Sequence, residues 1–222
     1  MMIRRRPGVL AALALTVTSA LALSGCAVDD SASPDAGERE GAEADADNGA
    51  AGSPRPSSSS ATGRPRIDLP SDLKLIFDGG RTGDQVKDAV LADNAERMRA
   101  VDAAIAGTDP DGEAVGFYNT GKALEAATSW VAQFEKANAT VTGEVRYFDR
   151  KVTLKEEGSA LLTFCADESK GFSKDRTTGK IAKTPVTRNS FVRYSTRLDR
   201  NSAGVWQTSQ ILSTRGAEEC QS

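Results

Sequence analysis

From Ala27 to Arg66 the chain carries almost no large apolar side chain. The stretch, including GEREGAEADADNGAAGSPRPSSSSATGRPR, is built from Asp, Glu, Ser, Ala, Gly and Pro. It has nothing to bury against the entropy of ordering its backbone. Any core must therefore come from elsewhere, and the reading is a disordered acidic tether over residues 26–66. As a flexible coil its ends lie roughly 35 Å apart. Ser57 to Ser60 and Thr62 are hydroxyls open to glycosylation.

What precedes the tether has a different character. Arg4, Arg5 and Arg6 form a positive start, and Val9 to Leu23 is apolar and uncharged. That run is short for a bilayer span, which takes about 20 residues. It has the form of an export signal. Pro7-Gly8 follow the arginines, so the general secretory route is favoured over twin-arginine export. Leu23-Ser24-Gly25-Cys26 resembles the bacterial lipobox. The resemblance implies a signal peptide over residues 1–25 and a diacylglyceryl group on Cys26. It also implies anchoring to the extracytoplasmic face of the cell membrane. Plain secretion and an uncleaved anchor are the alternatives. The three cysteines fit this arithmetic: with Cys26 lipidated, Cys165 and Cys220 are left to pair in an oxidising compartment, the alternative being two buried thiols.

Charge and composition exclude more than they select. The net charge is -3 and no basic cluster stands out, so no nucleic-acid partner is expected. The chain has no histidine, which removes His triads, His acid–base chemistry and His metal ligands. No cofactor is expected. Asp167, Glu168 and Asp175 lack the spacing of an EF-hand loop, so no metal site is assigned. GRTGDQ and TTGKIAKT lack Walker spacing.

Residues 67–222 are left for one domain. LPSDLKLIFDGG reads as a strand or a clamp on the core. Thr82 to Gln85 reads as a capping box, opening a helix with Val86, Val90, Leu91, Met98, Val101 and Ile105 on one side and a stop at Gly107. Asp109-Pro110 starts a second helical piece. A third carries Ala123, Ala127, Trp130, Val131 and Phe134, with Gly121 as a break. After Asn138 the apolar period becomes two. Val145 and Tyr147 oppose Val152 and Leu154 in parity, which predicts a bulge near Asp149-Arg150. ALLTFCA, SFVRYSTRLD and GVWQTSQILST read as further antiparallel strands, with CADESKGFSKDRTTGKIAKTPVTR as a long charged link turning at Thr178-Gly179. Helices first and sheet second means α+β.

This order resembles the cone-shaped domain of the nuclear transport factor 2-like superfamily. The stretches TGKALEAATSWV, VTGEVRYFDRKVTL, LTFCAD, TPVTRNSFVRYSTRL and GVWQTSQILSTRGAEEC resemble a group of actinobacterial lipoproteins of uncharacterised function. The superfamily resemblance implies a curved antiparallel sheet wrapped on helices around a pocket. Trp130, Tyr147, Phe164, Tyr194 and Trp206 are the candidate lining residues, with plain core as the alternative. Tyr147 or Tyr194 would supply a phenol to an isomerase-like site. No acid occupies a matching inward position, because Asp149 and Asp199 fall near strand ends. The expectation is a non-catalytic binding or scaffolding domain on a membrane anchor, with a protein or cell-wall partner in the envelope. An isomerase- or dehydratase-like enzyme for a small apolar substrate is the first alternative, and a structural envelope protein the second.

Overall fold

The structure, a computed structural model, describes residues 63–156 and 158–221. The signal segment, Cys26 with its lipid, and the tether as far as Thr62 lie outside the described residues. The described part belongs to one compact unit within Pro56–Ser222.

A short strand, β1 (Leu73–Phe77), leads into α1 (Gln85–Ala106). The helix begins two residues later than the predicted box. Asp84 is the N-cap, and its carboxylate accepts from the backbone N–H of Val86 at 2.9 Å and of Lys87 at 3.2 Å. Thr82 instead donates its hydroxyl to Asp88 at 2.7 Å. A charged acceptor caps the positive end of the helix dipole better than a hydroxyl does. Gly107 ends the helix at φ 81°, in the left-handed region. Val90, Leu91, Met98, Val101 and Ile105 are buried as expected, while Val86 is exposed.

Asp109 caps α2 (Glu113–Tyr118) by accepting from the N–H groups of Glu113 and Ala114, both at 3.1 Å. Pro110 therefore sits in the preceding turn, not in the first helical turn. The chain is extended at Asn119 and Thr120 before α3 (Gly121–Lys136), so the break falls just ahead of Gly121.

The remainder is sheet: β2 (Ala139–Leu154), β3 (Ser159–Asp175), β4 (Ile181–Ala182), β5 (Phe191–Arg200) and β6 (Trp206–Arg215). The order is β1-β2-β3-β5-β6, with β4 paired to β3. Helices followed by a bent sheet is the α+β arrangement expected. Two details differ. The sheet is mixed, because β1 pairs in parallel with β2. The link after Ala166 is largely strand, since β3 runs on to Asp175 and turns back through β4. The predicted bulge is present: pairing slips between Phe148 and Lys151, and Asp149 has φ 49°. Bulges bend a strand, and this one reverses which side chains of β2 face the helices.

Two apolar clusters fill the space between helices and sheet. Val90, Leu91, Leu162, Phe164, Leu198 and Trp206 form one, and Ile105, Val115, Tyr118, Ala127 and Val205 the other. Each large side chain fully buried there contributes about 1.5–3 kcal/mol. On the opposite face of β3, Cys165 is bonded to Cys220, and Phe148, Phe191 and Ala217 pack around the pair.

The start of the described chain is pinned. Arg64, within the stretch read as tether, forms an ion pair with Asp93, whose carboxylate is buried. Arg64 donates through Nη2 to Asp93 Oδ2 at 3.2 Å and through Nη1 to the Tyr118 hydroxyl at 3.3 Å. The same Oδ2 accepts the backbone N–H of Trp206 at 2.8 Å. Asp93 thus ties three parts of the chain, and its hydrogen-bonded carboxylate holds the Arg64 guanidinium above its usual pKa.

Candidate functional site

A cavity of about 570 Å³ opens between α1, α3 and the concave side of the sheet. That is the size of an ordinary small-molecule site. Its walls are mainly apolar: Met98 and Val101 from α1, Val141 and Val145 from β2, Val192 from β5 and Ile211 from β6. Ala126, Trp130 and Phe134 of α3 border it, with the two aromatic rings edge-on at 5.2 Å.

Into this space come Arg97 and Asp102 from α1, Tyr147 from β2, Glu168 from β3, Tyr194 from β5 and Arg215 from β6. Glu168 and Arg215 neutralise each other at 2.7 Å. The other four are not satisfied in this way. Arg97 is 4% exposed; its Nε donates to Asn119 Oδ1 at 2.7 Å and Nη1 to Met98 Sδ at 3.2 Å. Neither Asp102 nor the two phenols makes a hydrogen bond to another described residue, and Arg97 forms no ion pair with one. Buried polar groups are nearly always paired, so several unpartnered ones around one space are informative.

Their titration follows from burial. Asp102 is partly buried and lines the cavity. Burial first, and then the Glu168 charge, push its carboxyl up to about 7; Arg97 opposes this. Burial raises Tyr147 well above the usual phenol range, with Asp102 adding to it. Burial likewise raises Tyr194, with Glu168 second. Both phenols are therefore neutral hydrogen-bond donors. Burial lowers Arg97, and Tyr194, Tyr147 and Asp102 offset part of this.

The five residues singled out from sequence divide. Tyr147 and Tyr194 line the cavity, and Trp130 stands at its edge, 46% exposed. Phe164 lies between the two tyrosine rings, at 6.0 Å and 4.9 Å, but does not line this cavity. It borders a smaller hollow of about 280 Å³ beside the disulfide. Trp206 is buried where β6 begins, against Asp93, and is core. Asp149 and Asp199 pair with their neighbours Lys151 and Arg197. Asp167 accepts the backbone N–H of Ser169 within β3, and Asp175 accepts those of Thr177 and Thr178 in the turn that follows the strand.

The expectation of no inward acid is overturned by Asp102. The acids weighed for that place, Asp149 and Asp199, are both on strands; of the two acids that do reach the cavity, Glu168 of β3 is paired with Arg215 and the one without an ion pair, Asp102, is on a helix. The helix carries the signal: Asp102 follows Val101 and lies four residues after Met98, on the side read as apolar.

No family model matches the chain, and no curated protein matches it. Solved structures similar to it include Aln2 from a Streptomyces species, at 15% identity over 60% of this chain and 93% of that one, with a TM-score of 0.41. A ketosteroid isomerase-like protein from Erwinia carotovora atroseptica is similar at 17% identity over 60% and 98%, with a TM-score of 0.39. The intermembrane space region of the chloroplast protein ARC6 is similar at 11% identity over 61% and 98%, with a TM-score of 0.35.

Proposed function

We infer that this chain is a lipoprotein, anchored through Cys26 to the extracytoplasmic face of the cell membrane, whose α+β domain binds a small molecule in its cavity. The Leu23-Ser24-Gly25-Cys26 pattern behind an apolar run supports the anchor. The Cys165–Cys220 bond supports an oxidising compartment. The observation that carries the binding reading is the convergence of Arg97, which has no ion pair, and of Asp102, Tyr147 and Tyr194, which have no hydrogen bond to another described residue, on an apolar-walled cavity of about 570 Å³. A few placed polar groups in an apolar concavity is the ordinary make-up of a ligand site.

The test uses the full chain from native membranes. Mass spectrometry is expected to find diacylglyceryl on Cys26; an unmodified Cys26 overturns the anchor. The apolar fluorophore phenylnaphthylamine is expected to saturate one site with a Kd on the order of 10 µM. Ala126 lines the cavity and is exposed, so Ala126→Trp obstructs the opening without disturbing the core. Equal binding by wild type and Ala126→Trp overturns the cavity as the site.

One observation favours a second reading, proton-transfer catalysis. A carboxyl pushed up to about 7 beside two neutral phenols is able to take up and return a proton near neutral pH. Under that reading Asp102 is the base and Tyr147 the donor to a developing oxyanion. Cyclohexenone held with the protein in deuterated buffer would then gain deuterium beside its carbonyl, and Asp102→Asn would abolish the gain. Exchange no faster than in protein-free buffer removes this reading and leaves binding untouched.

A further inference from the structure

Arg97 is the least expected occupant of the cavity wall. It is almost wholly buried, and a guanidinium does not shed its charge at any ordinary pH. A charge removed from water without a partner is costly, and buried charges are as a rule paired. Glu168, a carboxylate on the same wall, is committed to Arg215. Asp93, one turn back on α1, is committed to Arg64 and to the Trp206 N–H. Asp102 is close enough to be felt but makes no ion pair with Arg97.

Arg97 is also held still. Its Nε is fixed on Asn119 Oδ1, and Asn119 donates in turn to the Val115 carbonyl at 2.9 Å. That leaves Nη2 without a hydrogen bond to any described residue, on a side chain that lines the cavity. A rigid cation with one unused donor edge loses little freedom on meeting an anion, which is the condition for tight recognition. The walls beyond it, at Met98, Val101, Val145 and Ile211, are apolar.

On the reading that the cavity is a ligand site, we propose that its ligand is an amphipathic monocarboxylate. The carboxylate sits on the free edge of Arg97 and within reach of the phenols, and the apolar body lies along the aliphatic wall toward Trp130. Asp102 then works as a hydrogen-bond donor while protonated and as a repelling charge once ionised. It faces Arg97 on its own helix, Tyr147 on β2, Glu168 on β3, Tyr194 on β5 and Arg215 on β6; the part of α3 that lines the cavity is uncharged. Anion binding should therefore weaken as pH rises through about 7.

Three probes of equal chain length separate the possibilities: decanoate, decanol and decylammonium, each titrated calorimetrically into the full chain. Decanoate is expected to bind at least about tenfold more tightly than decanol, as a charge-assisted hydrogen bond pair would give. In Arg97→Gln that preference should vanish. Decanoate affinity should decline with rising pH in wild type and stay level in Asp102→Asn. Decanol or decylammonium matching or exceeding decanoate, or a decanoate affinity that climbs with pH, overturns the anion assignment and leaves the cavity as a binding site. Binding of none of the three overturns both. The wild-type ratio decides the matter even where Arg97→Gln fails to fold.

Discussion

Gly143→Ala is expected to cost at least about 4 kcal/mol, a large fraction of the stability of a domain of this kind. Gly143 has φ 96°, a conformation closed to side chains other than hydrogen without strain. The larger problem is space. A methyl group there would lie 2.1 Å from the Lys170 carbonyl oxygen and 3.2 Å from its carbon. Both are backbone atoms of the neighbouring strand, so no rotamer change relieves the contact. Gly143 is also paired on its other side with Leu73 and donates its N–H to Asp72 at 2.8 Å. Strand β2 therefore has nowhere to retreat. Gly79→Ala is the control: φ is 64°, but nothing lies within 4 Å, so only backbone strain of about 1 kcal/mol is felt. Urea unfolding of the two variants measures the difference. If Gly143→Ala lies within experimental error of Gly79→Ala, the close packing of β2 on β3 is wrong.

The second large effect belongs to the disulfide. Cys165 and Cys220 are separated by 55 residues, and both are buried. Closing a loop of that length removes unfolded-state entropy equivalent to about 4 kcal/mol. The pair Cys165→Ala, Cys220→Ala should therefore lower the melting temperature by roughly 10 °C for a domain of this size. The loss should arise without change in the cavity, because Cys165 points to the face opposite Phe164. Reducing the wild type with excess dithiol should reproduce the shift. Melting curves that coincide with and without the bond would show that the C-terminal turn holds to the sheet by packing alone.

The elements that could be read from the chain are those whose apolar period faces a filled core. The α1 stripe from Val90 to Ile105, its stop at Gly107 and the parity change between Tyr147 and Val152 are of this kind. What escaped has a common cause. Beyond Ala166, β3 borders the cavity, where Glu168, Gly171 and Ser173 face open space. A strand facing open space needs no apolar alternation, so DESKGFSKD reads as a link. Asp102 is hidden for the same reason: a position on the cavity wall tolerates a carboxylate that a filled core would reject. The parallel pairing of β1 is unreadable because five residues, LKLIF, carry no sign of strand direction. Phe164 and Trp206 read as pocket residues because aromatic rings on strands are equally suited to either place.

Asp93 has one further consequence. A single carboxylate oxygen holds both the Arg64 guanidinium and the Trp206 amide, residues far apart along the chain. Whether the stretch leading into the domain is seated can thus be followed from inside it. Proton–deuterium exchange at one backbone nitrogen, at the first residue of the last strand, is a built-in gauge of strain arriving from the amino-terminal side.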